Sequence, residues 1–156
     1  MQDTELLQQL VEDIGTARKL LELTDAEYQA LAERDLSRLE QLLTQKQALL
    51  ALLNQHGALR SQTLATAQLS ADRSGLLAFA ASSALGKDIV DQAEQLDGIL
   101  EACRNANERN GKLIRANQNA VGSMLKVLQG TNQAPDLYDR RGAAARSANH
   151  RPLSQA

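Results

Sequence analysis

The chain has 156 residues, a formal net charge of −2 and 43% hydrophobic residues, yet only Tyr28, Phe79 and Tyr138 are aromatic. That length suffices to bury a core, the near-neutral charge gives no basis for binding nucleic acid, and no apolar run nears the roughly 18–20 residues that cross a bilayer. A core so poor in aromatics must be built from Leu, Ala, Ile and Val, which suits helices packed side by side and argues against sandwiches and barrels.

Proline occurs only at 135 and 152, so nothing interrupts a helix over most of the chain. The start, Met1-Gln2-Asp3-Thr4-Glu5, is acidic, unlike the basic opening of a signal peptide. Cys103 is the sole cysteine and excludes an intramolecular disulfide. These features are those expected of a cytoplasmic protein with no direct membrane insertion.

From Thr4 onward Leu7, Leu10, Ile14, Ala17, Leu21, Thr24, Tyr28 and Leu31 recur at alternating steps of three and four, the seam of a helix over 4–33. Leu6, Leu20 and Leu23 widen the stripe, as a helix with more than one neighbour requires. Phase is lost at Glu33-Arg34-Asp35, and Asp35 can cap a second helix over 36–68 carrying Leu36, Leu39, Leu42, Leu43, Leu49, Leu50 and Leu53. So short a turn makes the first two helices antiparallel neighbours. Lys46 falls on that seam and is expected to snorkel to water. Gly57 either ends this helix or sits within it at a cost of ~1 kcal/mol relative to Ala.

Ser70 resembles an N-cap for a short apolar helix over 71–81, with Phe79 as a plug closing one end of the bundle. Ser82-Ser83 then caps a last helix over 84–129, ended by Gly130. Its seam runs Leu85, Ile89, Ala93, Leu96, Leu100, Cys103, Asn107, Asn110, Ile114, Asn117, Val121, Met124/Leu125 and Leu128. The expected fold is all-α: an elongated antiparallel helical bundle or coiled coil of three long helices plus a short one, over 1–129. Residues 130–156, rich in Asn, Gln, Pro, Ala, Arg and Gly, are expected to form a flexible C-terminal tail.

Chemistry is hard to find. Cys103, between Leu100 and Asn107 on the seam with no histidine near it in sequence, reads as a small core residue. His56 and His150 stand apart from spaced carboxylates or thiols, so neither metal nor cofactor is expected. No phosphate-cradling loop or nucleophile motif is present, and the chain is not expected to be an enzyme.

The asparagines say more. Asn107, Asn110 and Asn117 stand where Leu or Ile would pack better. Two readings stay open: a polar layer that fixes register at a cost in stability, or a seam only partly covered by the bundle itself. In the second, Leu113, Ile114, Asn117, Val121, Leu125 and Leu128 form a stripe able to receive an amphipathic segment of a partner. Tyr138, the one aromatic of the tail, reads as a docking residue flanked by Asp136, Asp139, Arg140 and Arg141.

The run Asn107-x-x-Asn110-Gly111-x-Leu113-Ile114, the helix to Leu128 and the segment Tyr138-Asp139-x-x-Gly142 resemble the FlgN family of flagellar export chaperones. The specific part covers about 40 residues, while length and helix order agree over nearly the whole chain. The resemblance implies a cytoplasmic, non-enzymatic type III export chaperone. Its clients would be the hook–filament junction proteins FlgK and FlgL, bound through helical segments near their C-termini. It would deliver them to the export gate component FlhA, a role the resemblance ties to Tyr138. Residues 143–156 lie beyond the recognisable pattern. The competing class is a structural coiled-coil adaptor acting by self-association, and a homodimer formed by exchanging the last helix is compatible with the pattern.

Overall fold

A computed structural model of the chain describes residues 2–116. In chain order these form α1 (Gln2–Glu33), α2 (Leu36–Thr66), α3 (Arg73–Ala81) and α4 (Gly86–Ala116). Among the described residues there is no strand, and the fold is an all-α bundle. At 1.5 Å per residue the 32 residues of α1 span about 48 Å.

The punctuation comes from local chemistry. Arg34 and Gln68 take positive φ, 57° and 61°, just past the ends of α1 and α2. At both ends an amide reaches back five residues (Asp35 to Ala30, Leu69 to Leu64) and the one before it reaches back three (Arg34 to Leu31, Gln68 to Ala65). These paired bonds are Schellman motifs, which satisfy carbonyls the helix ends would otherwise leave exposed. Asp35 closes the first motif and also opens α2, its carboxylate accepting from the Arg38 amide at 3.1 Å. Gly57 sits within α2.

The cap of α3 is Asp72, not Ser70. The Asp72 Oδ1 accepts from the Gly75 amide at 2.9 Å, and the Ser70 hydroxyl donates to that same oxygen at 2.7 Å. A carboxylate is the better acceptor, and Ser70 is left to orient it. At the next turn the Ser83 hydroxyl accepts from the Leu85 amide and donates to Asp3 Oδ2 of α1 at 2.7 Å. Two glycines are sterically required here: a Cβ on Gly75 would collide with the Ser70 carbonyl, and one on Gly86 with the Ala80 carbonyl.

α1 is the common partner, packed along both α2 and α4, whereas the backbones of α2 and α4 stay apart and the two helices meet through side chains. Contacts from Lys46 to Glu27 and from Arg60 to Asp13 show that α2 runs antiparallel to α1. Contacts from Ser83 to Asp3, Cys103 to Ala17 and Asn110 to Thr24 show that α4 runs parallel to it. α3 packs on α4 at the end where α1 begins.

Two apolar clusters result. One joins Leu6, Leu10, Ile14 and Ala17 of α1 to Ala80 and to Ile89, Ala93 and Leu96 of α4, with Phe79 packed against it. The other gathers Leu23, Ala30, Leu31, Leu39 and Leu42 near the α1–α2 turn. Burying each such Leu or Ile contributes roughly 1.5–3 kcal/mol relative to leaving it exposed. The buried line on α1 runs Leu6, Leu10, Asp13, Ala17, Leu20, Thr24, Glu27, Leu31, flanked by Ile14, Leu23 and Ala30. Leu7, Leu21 and Tyr28, expected on the seam, are half-buried beside it. The rotated seam carries two carboxylates inward, Asp13 and Glu27, where Arg60 and Lys46 of α2 meet them.

Candidate functional site

The sequence singles out the stripe on the last helix. Leu113 and Ile114, at the end of the described part of α4, are half-buried and pack against the cluster of Leu23, Ala30, Leu31, Leu39 and Leu42. They reach that cluster because α4 lies parallel to α1, so its C-terminal turns arrive at the α1–α2 turn. Asn117, Val121, Leu125, Leu128 and Tyr138 lie outside the described residues.

Just before that pair, α4 is held by polar groups. Asn110 has no solvent exposure, and its Nδ2 donates to the Thr24 carbonyl at 2.9 Å and to Glu27 Oε1 at 2.7 Å. Glu27, also wholly buried, accepts from Lys46 Nζ at 3.3 and 3.2 Å on its two oxygens. Lys46 Nζ donates in addition to Asn107 Oδ1 at 3.0 Å, so one ammonium ties α1, α2 and α4 together. Lys46 therefore does not snorkel: at 6% exposure it is directed inward, where a buried carboxylate outcompetes water for it.

Arg109 extends the network to the surface. Its Nη2 donates to Asp25 Oδ1 at 3.0 Å, its Nε and Nη2 donate to Asn110 Oδ1 at 3.2 Å, and the guanidinium lies 4.3 Å from the centre of the Tyr28 ring. Tyr28, Asn105, Glu108, Arg109, Lys112 and Leu113 line a shallow depression of about 400 Å³ here.

A second polar group stands about three turns into α1. Asp13, with no exposure, meets His56 Nδ1 at 2.6 Å and is bonded by the Arg60 guanidinium, both from α2. His56, isolated in sequence, is thus a partner of a buried carboxylate. Among the described residues no group of His, Cys, Asp or Glu is arranged to hold a metal ion. Cys103 is buried, its Sγ 3.5 Å from the Ala17 carbonyl, and burial pushes its thiol pKa up. A thiol kept protonated is a poor nucleophile, which fits a small core residue letting α1 and α4 approach closely.

Sequence reasoning did not find Glu27–Lys46 or Asp13–Arg60. One signal was available: Asp13 and Glu27 fall in the three-four repeat with Leu6, Leu10, Ala17, Leu20, Thr24 and Leu31, where charge is costly.

The FlgN protein family model matches residues 1–146, the whole described bundle and most of the remaining C-terminal residues. The chain belongs to the FlgN family. A crystal structure of a Pseudomonas aeruginosa protein, described as a flagella synthesis protein FlgN, is 42% identical. It superposes with a TM-score of 0.67 over 80% of this chain and 96% of that one. No curated protein matches the sequence. The matched region contains α1 to α4 entire. No helix among the described residues is long and apolar enough to cross a membrane.

Proposed function

We propose that this chain serves flagellum assembly as a cytoplasmic, non-enzymatic type III export chaperone. It binds the C-terminal helical segments of the hook–filament junction proteins FlgK and FlgL, prevents their premature assembly and hands them to the export gate component FlhA. Membership of the FlgN family over residues 1–146 carries this reading, supported by the likeness to a flagella synthesis protein.

The physical logic is that of a helix laid in an apolar groove. Client segments that assemble through coiled-coil contacts outside the cell need an apolar helical surface to cover them inside it. Among the described residues of α4 Asn110 is the last fully buried one, and Leu113 and Ile114 keep part of their surface accessible. The stripe assigned to the client continues from them through Asn117, Val121, Leu125 and Leu128, and gate docking is assigned to Tyr138.

Calorimetric titration of the full chain with the C-terminal peptides of FlgK and FlgL tests this. A one-to-one complex weakened by Leu125→Asp supports it. Tyr138→Ala should keep peptide binding and lose secretion of the client. Equal loss of both would remove the separate docking role, and self-association without peptide binding would favour the adaptor.

A further inference from the structure

Because α2 and α4 both pack on α1 with their backbones apart, a cleft lies between them, closed at one end by α3. Its apolar lining comes from Leu10, Leu64, Leu76, Leu77, Val90 and Leu100, and it encloses about 260 Å³. Leu77 is 41% exposed, one of few large apolar side chains so open to water. The volume lies below the ~300–1,000 Å³ typical of small-molecule sites, and a cleft between antiparallel helices is the shape that accepts a further helix.

The rim selects the charge of the occupant. Arg60 borders the cleft but is committed to the buried Asp13. Arg73 is the remaining rim cation among the described residues, lying 3.0 Å from Glu94 and 4.0 Å from Asp97. Asp72, Glu94 and Asp97 thus share one guanidinium, which Glu94 and Asp97 divide between them, and the rim is left with an acidic excess.

We propose that this cleft is a second docking surface, taking an amphipathic helix of a partner protein with Leu, Ile or Met on one face and Lys or Arg flanking it. The apolar face fills the cleft beside Leu77, and the flanking cations meet Glu94 and Asp97. The site lies ~24 Å along α4 from Leu113, counting 1.5 Å per residue from Asp97, so it stands or falls separately from the client stripe.

Gly57 supplies a clean block. It lines the cleft, and a Cβ there would meet nothing nearer than the far end of Arg60, at 4.0 Å. Gly57→Leu should therefore fill the cleft in a folded protein, verified by its circular dichroism and melting. The probe is a fluorescein-labelled Leu/Lys amphipathic peptide, with a Leu/Glu twin of the same pattern, titrated by fluorescence anisotropy against the full chain. Saturable binding of the Leu/Lys peptide is expected, roughly tenfold weaker for the twin, for Gly57→Leu and for Glu94→Lys/Asp97→Lys. Leu59→Arg, an exposed change elsewhere on α2, should leave it unaltered.

Absence of binding, equal affinity for the twin, or equal loss with Leu59→Arg would overturn the proposal. So would a concentration-dependent dimer abolished by Gly57→Leu, which makes a second copy the occupant. A nitroxide at Ser147→Cys, in a Cys103→Ala background, that broadens Leu77 in the free chain would assign the cleft to the protein's own C-terminal segment instead.

Discussion

Lys46 of α2 places its ammonium 3.2 Å from Glu27 Oε2 of α1, with the lysine side chain 8% exposed and the glutamate side chain wholly buried. A buried ion pair repays its desolvation only when the remaining donors and acceptors are also satisfied, and here Asn107 and Asn110 do that. Removing one partner leaves an uncompensated buried charge. Lys46→Met should lower the unfolding free energy by about 3–5 kcal/mol in urea denaturation. Glu27→Met/Lys46→Met should recover most of that loss or exceed the parent. A double variant as unstable as the single one would mean that the lysine acts through packing, not charge.

Gly98 and Gly15 lie in helix interiors with nothing within 4 Å of where a side-chain methyl would stand, whereas Gly86 has the Ala80 carbonyl against it. Gly98→Ala and Gly15→Ala should each raise stability by about 0.5–1 kcal/mol. Gly86→Ala should lower it, because the α3–α4 turn must open to admit the methyl. Thermal melting separates the two signs.

The Ser83 hydroxyl, above all, holds the Asp3 carboxyl down at about 2 from an ordinary 3.8. A carboxylate with a lowered folded-state pKa stabilises the fold above its unfolded value, and that contribution disappears as pH falls from about 3.8 through about 2. Ser83→Ala should move the Asp3 midpoint upward toward the ordinary value in an NMR titration. An unmoved midpoint would detach Asp3 from the α3–α4 turn.

Burial beside Ala17 raises the Cys103 pKa and blocks its approach by reagents. Modification by a disulfide reagent at neutral pH should be slow in the native chain and rapid in denaturant, with the native rate following global unfolding. Fast native labelling would show that α4 opens locally from α1.

Composition and periodicity were sufficient for the all-α class, the antiparallel α1–α2 pair and the Asp35 cap, because these follow from turn chemistry and from side chains a few residues apart. The residues that carry the family likeness on α4, Asn107 to Ile114, were also legible as amides breaking an apolar repeat. Asn110 then settles one of the open readings for itself: it is a register-fixing buried amide, bonded across to α1.

What the linear pattern could not contain were pairings between distant residues. Glu27 and Lys46 are 19 positions apart, Asp13 and Arg60 47, and Glu27 and Asn110 83. A charge on a seam looks unfavourable until the helix that neutralises it is in place. Sequence alone determined that three long helices must share an apolar seam, since only that burial offsets their ordering entropy. Tertiary packing alone decided which face of α1 is innermost, because placing a carboxylate inside depends on a cation delivered by another helix.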